Sequence, residues 1–231
     1  MTVPLNANAI FFDWNGTLLA DTLCNIRATN SVLKRLGKPV VTKTHYLEQF
    51  NVPLEKMYRA FGCSAQELID HFDLVHDVWI RVYDSQSKKA RLRRGARTML
   101  QTLQKRQDRA FILSNHTIEN ISGHTKRLGI HNYFTAILAN DGHGPAFTSR
   151  NKGDRLYNYL KKQKINKAII VGDTEEEIDI AKEHGLVSVA ITDGVCSAKR
   201  LKTLEPDFLI NSLTEIPAIM QRVFGARQET A

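Results

Sequence analysis

Two aspartates, Asp13 and Asp173, each stand beyond a short apolar run: Ala9-Ile10-Phe11-Phe12 before the first, Ala168 to Val171 and a glycine before the second. A third run, Ala110 to Leu113, leads into Ser114, Asn115, His116 and Thr117, and Lys152 opens a later helical pattern. If the apolar runs are neighbouring parallel strands, these groups meet beyond the carboxyl ends, where open α/β sheets bind their ligands. Two carboxylates brought together repel unless a cation neutralises them, and a hard, oxygen-ligated ion such as Mg²⁺ is the natural partner. Ser114 and Asn115, at a strand-to-helix junction with outward-pointing amides, form a phosphate pocket with the Lys152 ammonium. Gly16 lets the backbone approach closely, and Thr17 supplies a further donor. The set reads as Mg²⁺-assisted phosphoryl transfer with a carboxylate nucleophile and cationic charge stabilisation.

The elements that must position these groups follow from the hydrophobic pattern. Helical periods over 95–107, 117–128, 152–163 and 175–184 precede apolar runs at 110–113, 134–139, 168–171 and 187–191, and a run at 207–210 closes the series. Short strands separated by amphipathic helices predict a doubly wound, Rossmann-like, mostly parallel α/β sheet. Between the first strand and this series the chain reads as helix alone. Leu23, Ile26, Val32, Leu33 and Leu36 recur at helical spacing until Gly37-Lys38-Pro39 stops them, and residues 44–62 form two short helices. Ser64-Ala65-Gln66-Glu67 is a capping box ahead of one stripe made of Leu68, Ile69, Phe72, Val75, Trp79 and Val82. On this pattern Trp79 belongs to a helical core. The predicted organisation is an α/β core domain of residues 1–19 and 89–231 with an inserted helical domain, 20–88.

Lysine and arginine number 32 against 24 aspartates and glutamates. The net charge of +8 favours phosphorylated metabolites, nucleic acid or an acidic surface as partners. Nucleic acid is the weakest of these, because the basic run Lys88, Lys89, Arg91, Arg93, Arg94 and Arg97 lacks interleaved aromatics and reads as a solvated face. Cys24, Cys63 and Cys196 are odd in number and far apart, which encodes neither a disulfide framework nor a CxxC metal site and points to a cytoplasmic chain. No run of about 18 apolar residues is present to span a membrane, and the first residues carry no basic leader. The histidines show no HExxH spacing, so His45, His71, His76, His124, His131, His143 and His184 read as surface or structural groups. His116 stands beside the pocket without a catalytic part.

The stretches FFDWNGTLLAD, FILSNHT, the lysine of NKGDRLYNYL and IIVGDTEEEIDIAKEHGL, in that order, make the chain resemble the haloacid dehalogenase superfamily. Within it, the phosphoglycolate-phosphatase-like members are the nearest in pattern, and the likeness runs from residue 8 to about 212. LEQFNVPLEKMYRAFG is similar to the helical cap of those phosphatases. The interval from Asp13 to Ser114 has room for a cap after the first motif, whereas Ser114 to Lys152 is too short for the other placement. The resemblance implies that Asp13 attacks phosphorus to give an aspartyl-phosphate. It implies that Asp13, the Asn15 carbonyl and Asp173 bind Mg²⁺ and that Ser114 and Lys152 hold phosphoryl oxygens. Glu177 falls where the family places a further acid at the metal, with Glu176 the less favoured substitute. The implied substrate is a small phosphorylated metabolite, selected by cap residues near Phe50 to Pro53.

One position departs from the family. Where its phosphatases carry a second aspartate, acting as general acid and base, this chain has Asn15. An amide does not give and reclaim a proton at neutral pH, a contribution worth roughly 10²- to 10⁴-fold. The expected activity is therefore slow or selective for its leaving group. Two alternatives remain open: phosphonoacetaldehyde-hydrolase-like cleavage, which the DWNGT motif approaches and which requires a cap lysine such as Lys34, Lys43 or Lys56, and binding of a phosphate ligand or nucleic acid without turnover.

Overall fold

The computed structural model describes residues 8–142 and 145–225. His143 and the first seven residues lie outside the described residues. Strands β1 (Ala9–Phe12), β2 (Leu19–Ala20), β3 (Arg91–Leu92), β4 (Arg109–Thr117), β5 (Phe134–Asn140), β6 (Ala168–Gly172), β7 (Val187–Ile191) and β8 (Phe208–Ile210) follow in chain order. Between β2 and β3 lie α1 (Thr22–Arg35), α2 (Lys43–Gln49), α3 (Leu54–Ala60), α4 (Ala65–Asp70) and α5 (Phe72–Ser87). Helices α6 (Ala96–Lys105), α7 (Ile118–Arg127), α8 (Pro145–Thr148), α9 (Lys152–Gln163), α10 (Glu175–Glu183), α11 (Ala198–Thr203) and α12 (Ile216–Phe224) alternate with the later strands.

Six strands form one parallel sheet in the order β5-β4-β1-β6-β7-β8. The chain builds outward from β1 on one side and then on the other, so β1 marks the switch point at which an open α/β sheet holds its crevice. Side chains of β1 alternate between two cores, as the period of a strand requires. Ile10 and Phe12 join Met99, Leu103 and Ile219 on one face, and Ala9 and Phe11 join Leu156, Leu160 and Ile180 on the other. Both faces are therefore covered, and the predicted doubly wound α/β architecture is observed. Among the described residues no helix is long and apolar enough to cross a membrane.

The helices α1 to α5 share a separate hydrophobic cluster in which Val32, Leu33, Tyr46, Met57, Tyr58 and Leu68 are buried. Their entry and exit run side by side, because Leu19 pairs with Leu92 and Ala20 with Arg91 in an antiparallel ribbon. The segment expected to be helical from residue 20 thus begins inside a strand. The capping box forms, with the Ser64 hydroxyl accepting from Glu67 N at 3.1 Å. The single stripe predicted beyond it does not, because the helix breaks at His71 between α4 and α5 and leaves Ile69 69% exposed. Leu23, read as part of the apolar face of α1, is also exposed.

Candidate active site

The register of the sheet converges the candidate residues. Phe12 is level with Ile112 in β4 and Val171 in β6, so Asp13, Ser114 and Asp173 all follow within two residues of one line across the sheet. The Asp13 amide continues the ladder by donating to the Val171 carbonyl at 2.8 Å, which fixes where its carboxylate projects. Lys152, the first residue of α9 and 2% exposed, donates from Nζ to Asp13 Oδ1 at 2.8 Å and to Glu177 Oε1. Glu176 Oε2 lies 3.7 Å from the same ammonium. Burial alone would discharge this lysine, but Asp13, Glu177 and Glu176 outweigh it and hold its pKa above the ordinary value. Burial, with Glu177 and Asp173 adding to it against Lys152, holds the Asp13 carboxyl above the usual carboxylate range.

Asp173 is fully buried. Its Oδ1 accepts from the Thr17 hydroxyl at 2.6 Å and its Oδ2 from Val195 N at 2.6 Å. Burial pushes its pKa up to about 7, raised further by Glu177 and opposed by the Thr17 and Val195 hydrogen bonds and by Arg93. Gly16 makes the packing possible: its φ is +74°, and a Cβ there would stand 2.3 Å from Asp173 Oδ2. Arg93 ties the two loops together, donating to the Gly16 carbonyl at 2.6 Å and the Thr192 carbonyl at 2.7 Å. The basic run read as a solvated face therefore contains one partly buried clamp, and no pattern in the sequence distinguished it from its neighbours.

Asp13, Asn15, Ser114, Asn115 and Lys152 line one cavity of about 160 Å³, whereas Gly16, Thr17, Asp173 and Glu177 stand behind it. Thr17 is turned to Asp173. Glu177 caps α10 through Thr174, whose hydroxyl donates to Oε2 at 2.6 Å, and spends its other oxygen on Lys152. Glu176 is the acid that faces the cavity, held by Asn115 Nδ2 at 2.6 Å. The Ser114 hydroxyl is not at a helix start: β4 continues to Thr117, which caps α7, and Ser114 Oγ accepts from His116 N at 3.2 Å. His116 lines the cavity and lies against the Tyr83 ring, with centroids 5.3 Å apart.

Asn15 is organised by a residue the sequence did not single out. Asp21 is fully buried and accepts at Oδ1 from Gly16 N at 2.8 Å. At Oδ2 it accepts from Asn15 Nδ2 at 2.6 Å, from the Tyr83 hydroxyl at 2.6 Å and from Asn25 Nδ2 at 3.0 Å. Asn15 Nδ2 also donates to the Tyr83 oxygen at 2.7 Å. Both amide hydrogens of Asn15 are therefore committed, and its side chain has only a carbonyl oxygen left to offer the cavity.

The residues present suit a divalent cation. Asp13, Asp173, Glu176 and Glu177 set four carboxylates against Lys152 and Arg93, and every candidate donor is a hard oxygen. Among the described residues no three His, Cys, Asp or Glu side chains form a ready metal cage. Mg²⁺, an ion that keeps several of its own waters, needs few protein ligands.

The opposite wall comes from the inserted helices. Phe50 and Val52, in the segment expected to govern selectivity, line the cavity together with Tyr46, Met57, Tyr58 and Trp79. Trp79 packs on the helical cluster as predicted, but it also faces the cavity and stacks on Tyr83 at 4.7 Å. Lys34, Lys43 and Lys56 are exposed, and among the described residues no cap lysine lines the cavity. The inserted helices are held down from the core by Arg200, which donates to the Phe50 carbonyl at 2.8 Å while paired with Glu175 at 2.7 Å.

The haloacid dehalogenase-like hydrolase family matches residues 10–191, which is most of the chain and contains every residue of this floor. The chain belongs to that family. It is 24% identical over 219 residues to a phosphoglycolate phosphatase of Vibrio parahaemolyticus, covering 90% of this chain and 93% of the relative. It is 23% identical to a phosphoglycolate phosphatase of Synechococcus elongatus, covering 90% of this chain and 94% of that one. Among solved structures, a haloacid dehalogenase-like hydrolase of Streptococcus pneumoniae superposes with a TM-score of 0.78 at 25% identity, covering 93% of this chain and 99% of its own. The expected class, a haloacid dehalogenase-like hydrolase of the phosphatase kind, agrees with these findings.

Proposed function

We propose that this hydrolase is a Mg²⁺-dependent phosphatase that works through an aspartyl-phosphate on Asp13. The observation that carries the reading is the buried Asp13–Lys152 contact of 2.8 Å on the floor of the cavity at the sheet's switch point. Asp13, Asp173 and the Asn15 carbonyl are the ligands for the ion, which supplies positive charge against the phosphoryl oxygens when bound. Lys152 and the Ser114 hydroxyl hold those oxygens from the protein's side. An Asp13 carboxylate oxygen attacks phosphorus, and the ester P–O bond breaks with its electron pair on the departing oxygen. Water then attacks the phosphorus of the aspartyl-phosphate, releasing phosphate and restoring Asp13. Asn15 gives no proton to the departing oxygen, so the leaving group departs as an anion and takes its proton from solvent.

The helices of residues 20–88 act as the cap over the core of residues 1–19 and 89–231, tied to it by the hydrogen bond from Arg200 to the Phe50 carbonyl. The substrate is a small phosphorylated metabolite. Phosphate release from a panel of phosphomonoesters, with Mg²⁺ and with the metal chelated, tests the reading. Turnover only with metal is expected, and equal turnover under chelation overturns it.

A further inference from the structure

The lining of the cavity is unlike what a substrate with a second anionic group needs. A substrate that carries a carboxylate besides its phosphate requires a second cationic contact to replace the water it loses. Among the described lining residues Lys152 is the only lysine or arginine, and its ammonium is already shared by Asp13, Glu177 and Glu176. The wall facing it is mostly aromatic and aliphatic, with Tyr46, Phe50, Met57, Tyr58, Trp79 and Phe147 around the polar Asn25, Thr29 and His76. Beside Asp13 in the chain, Asn15 turns only an acceptor toward this space, because Asp21 and Tyr83 take both of its amide hydrogens.

From these observations, and resting on the phosphatase reading above, we propose that the substrate class is the single-ring aryl phosphomonoester. The ring occupies the aromatic wall, and the phosphate faces Asp13 and Lys152. As the Asp13 oxygen bonds to phosphorus, the aryl P–O bond breaks and a phenolate leaves with the electron pair. A phenol ionises near pKa 10, as tyrosine does, whereas an alkoxide is about as basic as hydroxide, whose parent water has a pKa of about 15.7. The first departs unassisted; the second needs the acid that Asn15 does not supply.

Four probes separate the two parts of the proposal: phenyl phosphate, benzyl phosphate, acetyl phosphate and phosphoglycolate, assayed with Mg²⁺ on the full chain. The first two carry a ring, and the first and third leave without protonation. Phenyl phosphate is expected to give the highest kcat/KM, acetyl phosphate a similar kcat with a KM about tenfold higher, and benzyl phosphate a low KM with a kcat at least 10²-fold lower. Phe50→Arg should raise the ratio of phosphoglycolate to phenyl phosphate kcat/KM, a ratio that does not depend on how much of the variant folds. A phosphoglycolate kcat/KM equal to or above that of phenyl phosphate overturns the substrate class and leaves the phosphatase reading standing. Failure to turn over any of the four, acetyl phosphate included, overturns the phosphatase reading and the inference with it.

Discussion

The two walls of the cavity are built by different rules. The floor comes from the ends of β1, β4 and β6 and from the first turns of α9 and α10, and it is charged, buried and cross-braced: Lys152 on three carboxylates, Asp173 on Thr17 and Val195. The ceiling comes from α1, α2, α3 and α5 with the loops beside them, and it is mostly apolar and aromatic. A buried charge needs a specific partner at a specific distance, whereas an apolar wall needs only volume and shape. On the proposed reading, chemistry is therefore fixed where the sheet fixes the backbone, and selectivity rests where side chains are exchangeable.

That contrast predicts that floor variants act on kcat and ceiling variants on KM. The largest effect is expected for Lys152→Ala, which leaves Asp13, Glu177 and Glu176 facing each other without their shared cation. It should lower kcat by roughly 10²- to 10³-fold and cost about 3–5 kcal/mol of stability in urea titrations without metal. A variant as stable and active as the parent would break the picture of a braced floor.

Next in size is Asn15→Asp. Restoring a carboxyl should raise turnover of benzyl phosphate by about 10²-fold or more, as a positioned acid does. Because Asn15 Nδ2 lies 2.6 Å from Asp21 Oδ2, the new carboxylate would oppose another. The double variant Asn15→Asp with Asp21→Asn should therefore gain more than the single one, and equal gains would show that Asp21 does not govern this position.

The floor should also respond to metal and pH together. Burial pushes the pKa of Asp173 up to about 7, above the roughly 3.9 of an unfolded aspartate. Its protonated form therefore contributes stability that is full below about pH 4 and is lost as pH climbs through about 7. Saturating Mg²⁺ competes with that proton, so it should raise the melting temperature at about pH 8 and hardly at about pH 5, the stabilisation at about pH 8 being ~2.7 kcal/mol when its concentration is near 100 Kd. A pH-independent shift would place the ion elsewhere. The smallest effect belongs to the ceiling: Trp79→Ala should raise KM for phenyl phosphate about tenfold, the upper end of what an aromatic contact is worth, with kcat within about threefold.

The floor was legible because its residues mark the ends of apolar runs, and parallel strands bring run ends together whatever lies between. Asp13, Ser114 and Asp173 needed only that rule, whereas Lys152, at the start of a helix, was found by motif spacing. What it left out depends on pairing between distant positions. Asp21 gains its meaning from Tyr83, 62 residues on, and Arg93 from Gly16 and Thr192. The direction in which Thr17 and Glu177 turn was equally hidden, since spacing tells which side chains are near and not which oxygen each one serves. In the helical insert, periodicity found the helices but ran through the break at His71, where local turn geometry overrides the stripe and exposes Ile69.

The most direct test is the rate of phosphate release from phenyl phosphate, with and without Mg²⁺, for the parent chain and for Asp13→Ala. Metal-dependent release that disappears in Asp13→Ala is the result predicted. Release that persists in Asp13→Ala would contradict the assignment of Asp13 as nucleophile and with it the account of the floor.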